Sequence, residues 1–207
     1  SDYPWRIRMN NTNDLYAYST ANLGMYVFTP SSAGTSRNYA IMRPFGCLRG
    51  SANGGFSFLA KIALGFLNPY STLFVGLVAS ANNMTLDGTN TLSSTTEAIG
   101  FLIDYSVNLN YKIRLVRRSG SVTTTYETAK YFTPNTMFTF RLDWSPDFTN
   151  MVYTYGDSAT INTNLITDFS TNISTTAQLD PIVGCNRAAS MDWGLLVNQL
   201  KITQYDD

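Results

Sequence analysis

The sequence contains no histidine. That one absence removes histidine-based catalytic triads, most catalytic zinc sites and the usual pH switch. Charge is scarce too: Asp, Glu, Lys and Arg supply 14% of the 207 residues, against about a quarter in an average soluble domain. The basic and acidic residues balance at 14 each. The chain as a whole is therefore not drawn to nucleic acid or inserted into an anionic membrane. Only two cysteines occur, Cys47 and Cys185. They fit no CxxC spacing for metal or redox chemistry, and they leave two readings open, a disulfide or two buried thiols. No apolar run is long enough to cross a bilayer; the best, Ala60–Phe66, falls far short. Dinucleotide-binding and Walker glycine loops are absent, and Gly54-Gly55 is a lone pair opening a strand. The first residues, Ser1-Asp2-Tyr3-Pro4, lack the pattern of a signal peptide and lack an initiating Met. The expectation is a processed product or a domain cut from a longer protein.

What is present is aromatic and hydroxyl-rich: 13 Tyr, 12 Phe and 3 Trp, with polarity carried by Ser, Thr and Asn. The stretch from Ile99 to Trp144 predicts four consecutive antiparallel strands, Ile99–Asp104, Tyr111–Arg118, Val122–Thr128 and Met137–Trp144. Gly, Ser, Asn or Pro fills each gap. In the last of these, Phe138, Phe140, Leu142 and Trp144 alternate with Thr139, Arg141 and Asp143. A period of two with one oily face means a sheet that covers a core on one side only. The longest regular run is Gly55–Phe66, with Phe56, Phe58, Ala60, Ile62, Leu64 and Phe66 on one face and Ser57, Leu59, Lys61, Ala63 and Gly65 on the other. It predicts a long central strand paired, after the Asn68-Pro69-Tyr70-Ser71 turn, with Thr72–Ala79. Further strands are expected at Trp5–Met9, Leu15–Tyr18, Gly24–Thr29, Asn38–Arg43, Met151–Tyr155, Leu179–Cys185 and Trp193–Tyr205. Pro181 argues for an edge or a strand start, and Asn198 for a bulge. Ser80–Thr96 and Thr160–Thr176 read as long polar stretches. Lys112, Arg114, Arg117 and Arg118 read as a solvated strand face and its turn, with an anionic ligand site as the alternative reading.

About a dozen short strands, no linker and no repeat predict one all-β domain over residues 1–207, an antiparallel two-sheet jelly-roll sandwich. The order of signals from Phe58 to Tyr205 resembles the concanavalin A-like lectin/glucanase sandwich. More narrowly it resembles the versions found in structural and adhesion proteins of tailed phages. Phe74-Val75-Gly76-Leu77 corresponds to their FVGL-type strand and Ile99-Gly100-Phe101 to an IGF strand. Asn110-Tyr111 opens the next strand, before a basic Ser/Gly turn. A Thr-rich strand ends near Thr128, a hairpin spans Phe138–Tyr155, and Leu195–Tyr205 closes the sheet. The likeness covers about two thirds of the chain. Where the phage versions often carry Trp in the second strand, this chain has Tyr111.

Glucanases of this fold use a strand motif such as Glu-x-Asp-x-x-Glu, which the chain lacks. A retaining glycosidase needs two carboxylates about 5–5.5 Å apart; Asp104 and Glu127 are the pair that could meet across strands. A hard-cation loop needs several Asp and Asn together, and Asp87–Asn90 has a single carboxylate. No metal or cofactor is expected, and the chain is expected not to be an enzyme. Sequons at Asn10, Asn83 and Asn172 carry little weight in an Asn/Thr-rich chain. Sugar binding needs an aromatic platform with polar groups at its rim. Tyr105, Asn108, Asn110 and Tyr111 form one candidate cluster; Asn186, Arg187 and Trp193, beside Asp192, form another. For each aromatic the competing reading is ordinary packing. The resemblance implies an adhesion or receptor-binding domain on a virion surface. It would recognise a host-surface glycan, with other virion proteins as partners and a homo-oligomer, a trimer, as the assembly. A purely structural capsid or tail domain is the alternative, and a polysaccharide hydrolase the third reading.

Overall fold

Alternation in sequence becomes alternation of faces. In the strand Phe56–Leu64 every second residue from Phe56 is buried and the residues between are half-buried, as a pleated strand with one core face requires. In the computed structural model the described residues are 6–9, 15–19, 24–29, 37–42, 48–49, 55–64, 72–79, 97–104, 111–120, 122–144, 151–166, 178–187 and 193–204. They form β1 (Arg6–Met9), β2 (Leu15–Ser19), β3 (Gly24–Thr29), β4 (Arg37–Met42), β5 (Leu48–Arg49), β6 (Phe56–Leu64), β7 (Thr72–Ala79) and β8 (Glu97–Asp104). Then come β9 (Lys112–Ser119), β10 (Val122–Tyr131), β11 (Phe138–Trp144), β12 (Met151–Gly156), β13 (Ile161–Ile166), β14 (Gln178–Arg187) and β15 (Trp193–Gln204). Among the described residues they make two antiparallel sheets. The first runs β1-β4-β14-β7-β8-β9-β10, with β5 also on β14; the second runs β13-β12-β11-β6-β15-β3-β2. This is the all-β jelly-roll sandwich that the strand pattern predicts.

The core lies between the sheets. Phe101 of β8 meets Phe140, Tyr153 and Tyr155 of the opposite sheet at ring-centroid distances of 5.0, 5.3 and 5.8 Å, within the range where aromatic pairs attract. The first sheet is apolar on its other face as well: Phe74, Val78, Ala98, Leu102, Val116 and Ile182 form a second buried cluster there. The FVGL and IGF signals are explained at this point. Gly76 and Gly100 lie opposite each other on β7 and β8, and the Phe74 ring lies over both. A Cβ on Gly100 would overlap the Val75 carbonyl oxygen and approach the Gly76 Cα to 2.8 Å.

Five expectations are corrected. Phe56–Leu64 and Thr72–Ala79 do not pair across the turn at Asn68–Ser71: β6 lies in the second sheet between β11 and β15, and β7 in the first between β14 and β8. Met137–Trp144 does not continue the meander of β8, β9 and β10; β11 crosses to the second sheet and pairs with β6 and β12. The Asn/Thr-rich stretch after Thr160 contains a strand, β13, on the edge beside β12; polar side chains are tolerated there because an edge strand need not bury both faces. Pro181 sits inside an interior strand, opposite Leu77. On the other side of β14, β5 pairs with Gln178 and Leu179 and β4 with Ile182–Arg187. The proline thus falls in the gap between two partners, where its missing N–H is not called for. The basic cluster is split by the pleat. Lys112, Arg114 and Arg118 are half-buried, with Glu127 reaching Lys112 at 2.9 Å and Arg114 at 4.0 Å. Arg117 is buried at 8% exposure. The bulge at Asn198 is present: the register of β15 on β6 shifts between Val197 and Gln199.

Candidate functional site

The outer face of the second sheet is partly open: the side chains that β6 and β11 present there are half-buried or exposed. On β11 the buried set Phe138, Phe140, Leu142 and Trp144 forces Thr139, Arg141 and Asp143 outward. On β6 the buried set forces Ser57, Leu59, Lys61 and Ala63 outward. The strand register then lines these residues up in rows. Arg141 lies opposite Leu59, and Leu59 opposite Lys201 of β15; on the far side Arg141 faces Thr154 of β12. The adjacent row is Val152, Asp143, Ser57 and Thr203. The row on the other side holds Thr139, Lys61 and Gln199. At the centre of these rows is a depression of about 150 Å³, lined by Ser57, Leu59, Arg141, Lys201 and Thr203.

The electrostatics of this face are uneven. Among the described residues, Lys61, Arg141 and Lys201 share this face with one carboxylate, Asp143. The Arg141 Nε donates to Asp143, 2.9 Å from Oδ1 and 2.7 Å from Oδ2. The two residues are two apart on one strand, so their side chains rise from the same face. With Arg141 at 47% side-chain exposure, the pair adds well under about 1 kcal/mol of stability. Its consequence is orientation: Asp143 holds the guanidinium along the strand. Lys61 and Lys201 make no ion pair with any of the described carboxylates.

Other polar groups are structural. Asp157 Oδ1 accepts the backbone N–H groups of Ala159 at 3.0 Å and Thr160 at 2.8 Å, while Oδ2 meets Lys130 at 3.2 Å. These contacts, Thr160 foremost, hold its carboxyl below the usual carboxylate range. They also fix the turn from β12 to β13. Burial lowers the Arg117 guanidinium from its ordinary value, with Tyr126, Tyr153 and Glu97 opposing that shift. Burial likewise raises the Tyr153 phenol well above its own. This group is packed into the sandwich rather than open to a ligand.

The residues singled out from sequence fall elsewhere. Tyr105, Asn108 and Asn110 lie outside the described residues. Tyr111 is half-buried and packs against the core, and its carbonyl accepts the Phe132 N–H at 2.7 Å. Asn186 and Arg187 end β14 in the first sheet, opposite Asn38 and Arg37; Trp193 begins β15 in the second, opposite Thr29. The second cluster therefore spans the two sheets along consecutive strands. Asp104 and Glu127 sit on β8 and β10 with β9 between them. Two strand spacings of about 4.8 Å separate their backbones, and Glu127 is turned onto Lys112 and Arg114. Asp87–Asn90, Cys47 and the three sequons lie outside the described residues. Among the described residues no group of three His, Cys, Asp or Glu could hold a metal. The face of Ser57, Leu59, Arg141 and Lys201 carried a sequence signal, polar and cationic residues alternating with aromatics on two strands. The register that joins them came only with the fold.

No known family profile matches the chain, and no curated protein matches it in sequence. Solved structures do match in fold. One is the carbohydrate recognition domain of Emp46p in a potassium-bound form, at TM-score 0.57 and 13% identity, covering 96% of this chain and 87% of that one. Another is a legume lectin-like domain from Entamoeba histolytica, at TM-score 0.54 and 12% identity, covering 97% and 90%. A third is the alginate lyase from Klebsiella pneumoniae, at TM-score 0.51 and 11% identity, covering 93% and 85%. The chain thus shares its sandwich fold with carbohydrate recognition domains and alginate lyases. The lyases overturn the expectation that the chain is not an enzyme. That expectation rested on missing histidine and missing hydrolytic carboxylates. The carboxylate argument bears on glycoside hydrolysis alone, and the same architecture serves proteins that cleave a polysaccharide by elimination.

Proposed function

We propose that this chain is a carbohydrate-recognition domain and that it takes its ligand on the outer face of the second sheet. The observation that carries the reading is the depression between β11, β6 and β15. There an aliphatic floor, Leu59, is ringed by the hydroxyls of Ser57 and Thr203 and the cations of Arg141 and Lys201. A pyranose has an apolar face and a rim of hydroxyls, and this arrangement offers a partner to each. Support also comes from the fold, which the chain shares with named carbohydrate recognition domains and polysaccharide lyases. Within this reading the chain works at the surface of a phage particle, as a module that holds a host-surface glycan and assembles as a trimer. The support for that finer statement is the order of short sequence signals shared with tailed-phage proteins.

The test is a screen of the purified chain against a broad glycan panel, following both retention and release of unsaturated or reducing products. Saturable retention lost in Leu59→Glu, with the thermal midpoint kept, is the expected result. Retention unaffected by Leu59→Glu would move the site off this face. Products in the wild type that disappear in a face variant would make the domain a polysaccharide-cleaving one. Light scattering reads the assembly state directly.

A further inference from the structure

We propose that the face selects an acidic saccharide, one bearing carboxylate or sulfate groups, through Arg141, Lys201 and Lys61; this rests on the carbohydrate reading above. The chain is neutral overall and poor in charge, yet three cations project from three adjacent central strands, with one carboxylate beside them among the described residues. Arg141 and Lys201 share a row and stand two strand spacings apart, about 10 Å at the backbone. Leu59 lies between them on β6. Lys61 is one pleat repeat further along β6, about 7 Å away. A sugar ring seated on Leu59 would thus present its substituents to a cation on each side and to a third beyond one edge.

The single carboxylate does not cancel this pattern. Asp143 engages the Nε edge of Arg141 and orients the guanidinium, a planar fork suited to carboxylate and sulfate oxygens. Lys61 and Lys201 meet no carboxylate among the described residues, so their charge is directed outward from the sheet. Nucleic acid would be the other polyanion. The balanced charge of the chain and the small number of cations on this face favour a saccharide, because duplex binding draws on a broad basic surface.

The experiment uses the full chain and four probes: a polyuronate oligosaccharide, the same oligosaccharide with its carboxyl groups reduced to alcohols, a sulfated oligosaccharide, and a DNA oligonucleotide. Calorimetry in low and in physiological salt reads the affinities. The expected result is binding to the polyuronate or the sulfated probe at least about 10-fold tighter than to the reduced one, weakening with salt. Lys201→Gln and Lys61→Gln should each lower that affinity by about 5- to 10-fold without moving the thermal midpoint. Whichever acidic probe binds more tightly identifies the source of the charge. Equal binding of the reduced probe, unaffected by Lys201→Gln, would overturn the acidic selection while leaving the carbohydrate reading in place. Binding to none of the saccharides here and none in the neutral panel would overturn both. Tighter binding to the DNA than to any saccharide would replace this inference with a nucleic-acid one.

Discussion

The two sheets share one core but differ on their outer faces. Outside the first sheet, Phe74, Val78, Ala98, Leu102, Val116 and Ile182 are buried in a second apolar cluster, and the glycine pair Gly76–Gly100 sits beneath the Phe74 ring. Outside the second sheet, Ser57, Leu59, Lys61, Thr139, Asp143 and Thr203 are half-buried and Arg141 and Lys201 exposed. A face whose side chains are already packed is committed to stability. A face with hydroxyls, a depression and lysines that pair with no carboxylate among the described residues has groups to offer a ligand. Under the proposed function one side of the sandwich serves structure and the other recognition, a division visible only when residues are sorted by face rather than by strand.

The division can be broken most sharply by truncating one residue on each side. Phe74→Ala removes a fully buried ring and should destabilise by about 3–5 kcal/mol. Leu59→Ala, half-buried on the opposite outer face, should cost less than about 1 kcal/mol. Chemical denaturation of both variants reads the difference; equal losses would erase the distinction between the faces. Gly100→Ala comes next. The added methyl has no room against the Val75 carbonyl oxygen, and an overpacking cost of about 1–3 kcal/mol is expected, seen as a lower denaturant midpoint with an unchanged slope.

Arg141→Gln sharpens the comparison in the opposite sense. It should leave stability within about 0.5 kcal/mol while reducing glycan affinity about 10-fold, as calorimetry against the best-binding oligosaccharide would show. The smallest effect is at Asp157. Its carboxyl is held below the usual range in the folded chain, chiefly by the Thr160 N–H and then by Lys130. The stability it adds is present above its unfolded value of about 3.9. That contribution is lost as pH falls from there through the lower folded value. Asp157→Asn should therefore flatten part of the fall in thermal midpoint below about pH 4 and leave glycan binding alone. A fall identical to that of the wild type would remove Asp157 from the acid response.

Much of the sandwich was legible in the sequence because period-two patterns leave little choice of face. β6, β7 and β11 were placed within a residue or two, and the outward set Ser57, Leu59, Lys61, Thr139, Arg141 and Asp143 follows from the buried aromatics alone. Three things were not legible. The crossing of β11 to the other sheet depends on which strand its oily face meets, and local turn chemistry carries no such information. β13 was missed because Asn162, Thr163 and Asn164 mask its alternation, and pairing with β12 supplies what propensity does not. The proposed face was not legible because it carries no aromatic platform, the feature that singles out Tyr111, whose ring packs on the core. The face that collects Arg141, Leu59 and Lys201 exists only through the register of three strands distant in sequence.

Backbone amide shifts recorded while titrating the 15N-labelled chain with the best-binding oligosaccharide test the central claim most directly. The account predicts changes centred on Ser57, Leu59, Arg141, Lys201 and Thr203, with the outer cluster of the first sheet undisturbed. Changes confined to residues 105–111 and 186–193, with those five silent, would contradict it and return the site to the strand ends of the sandwich.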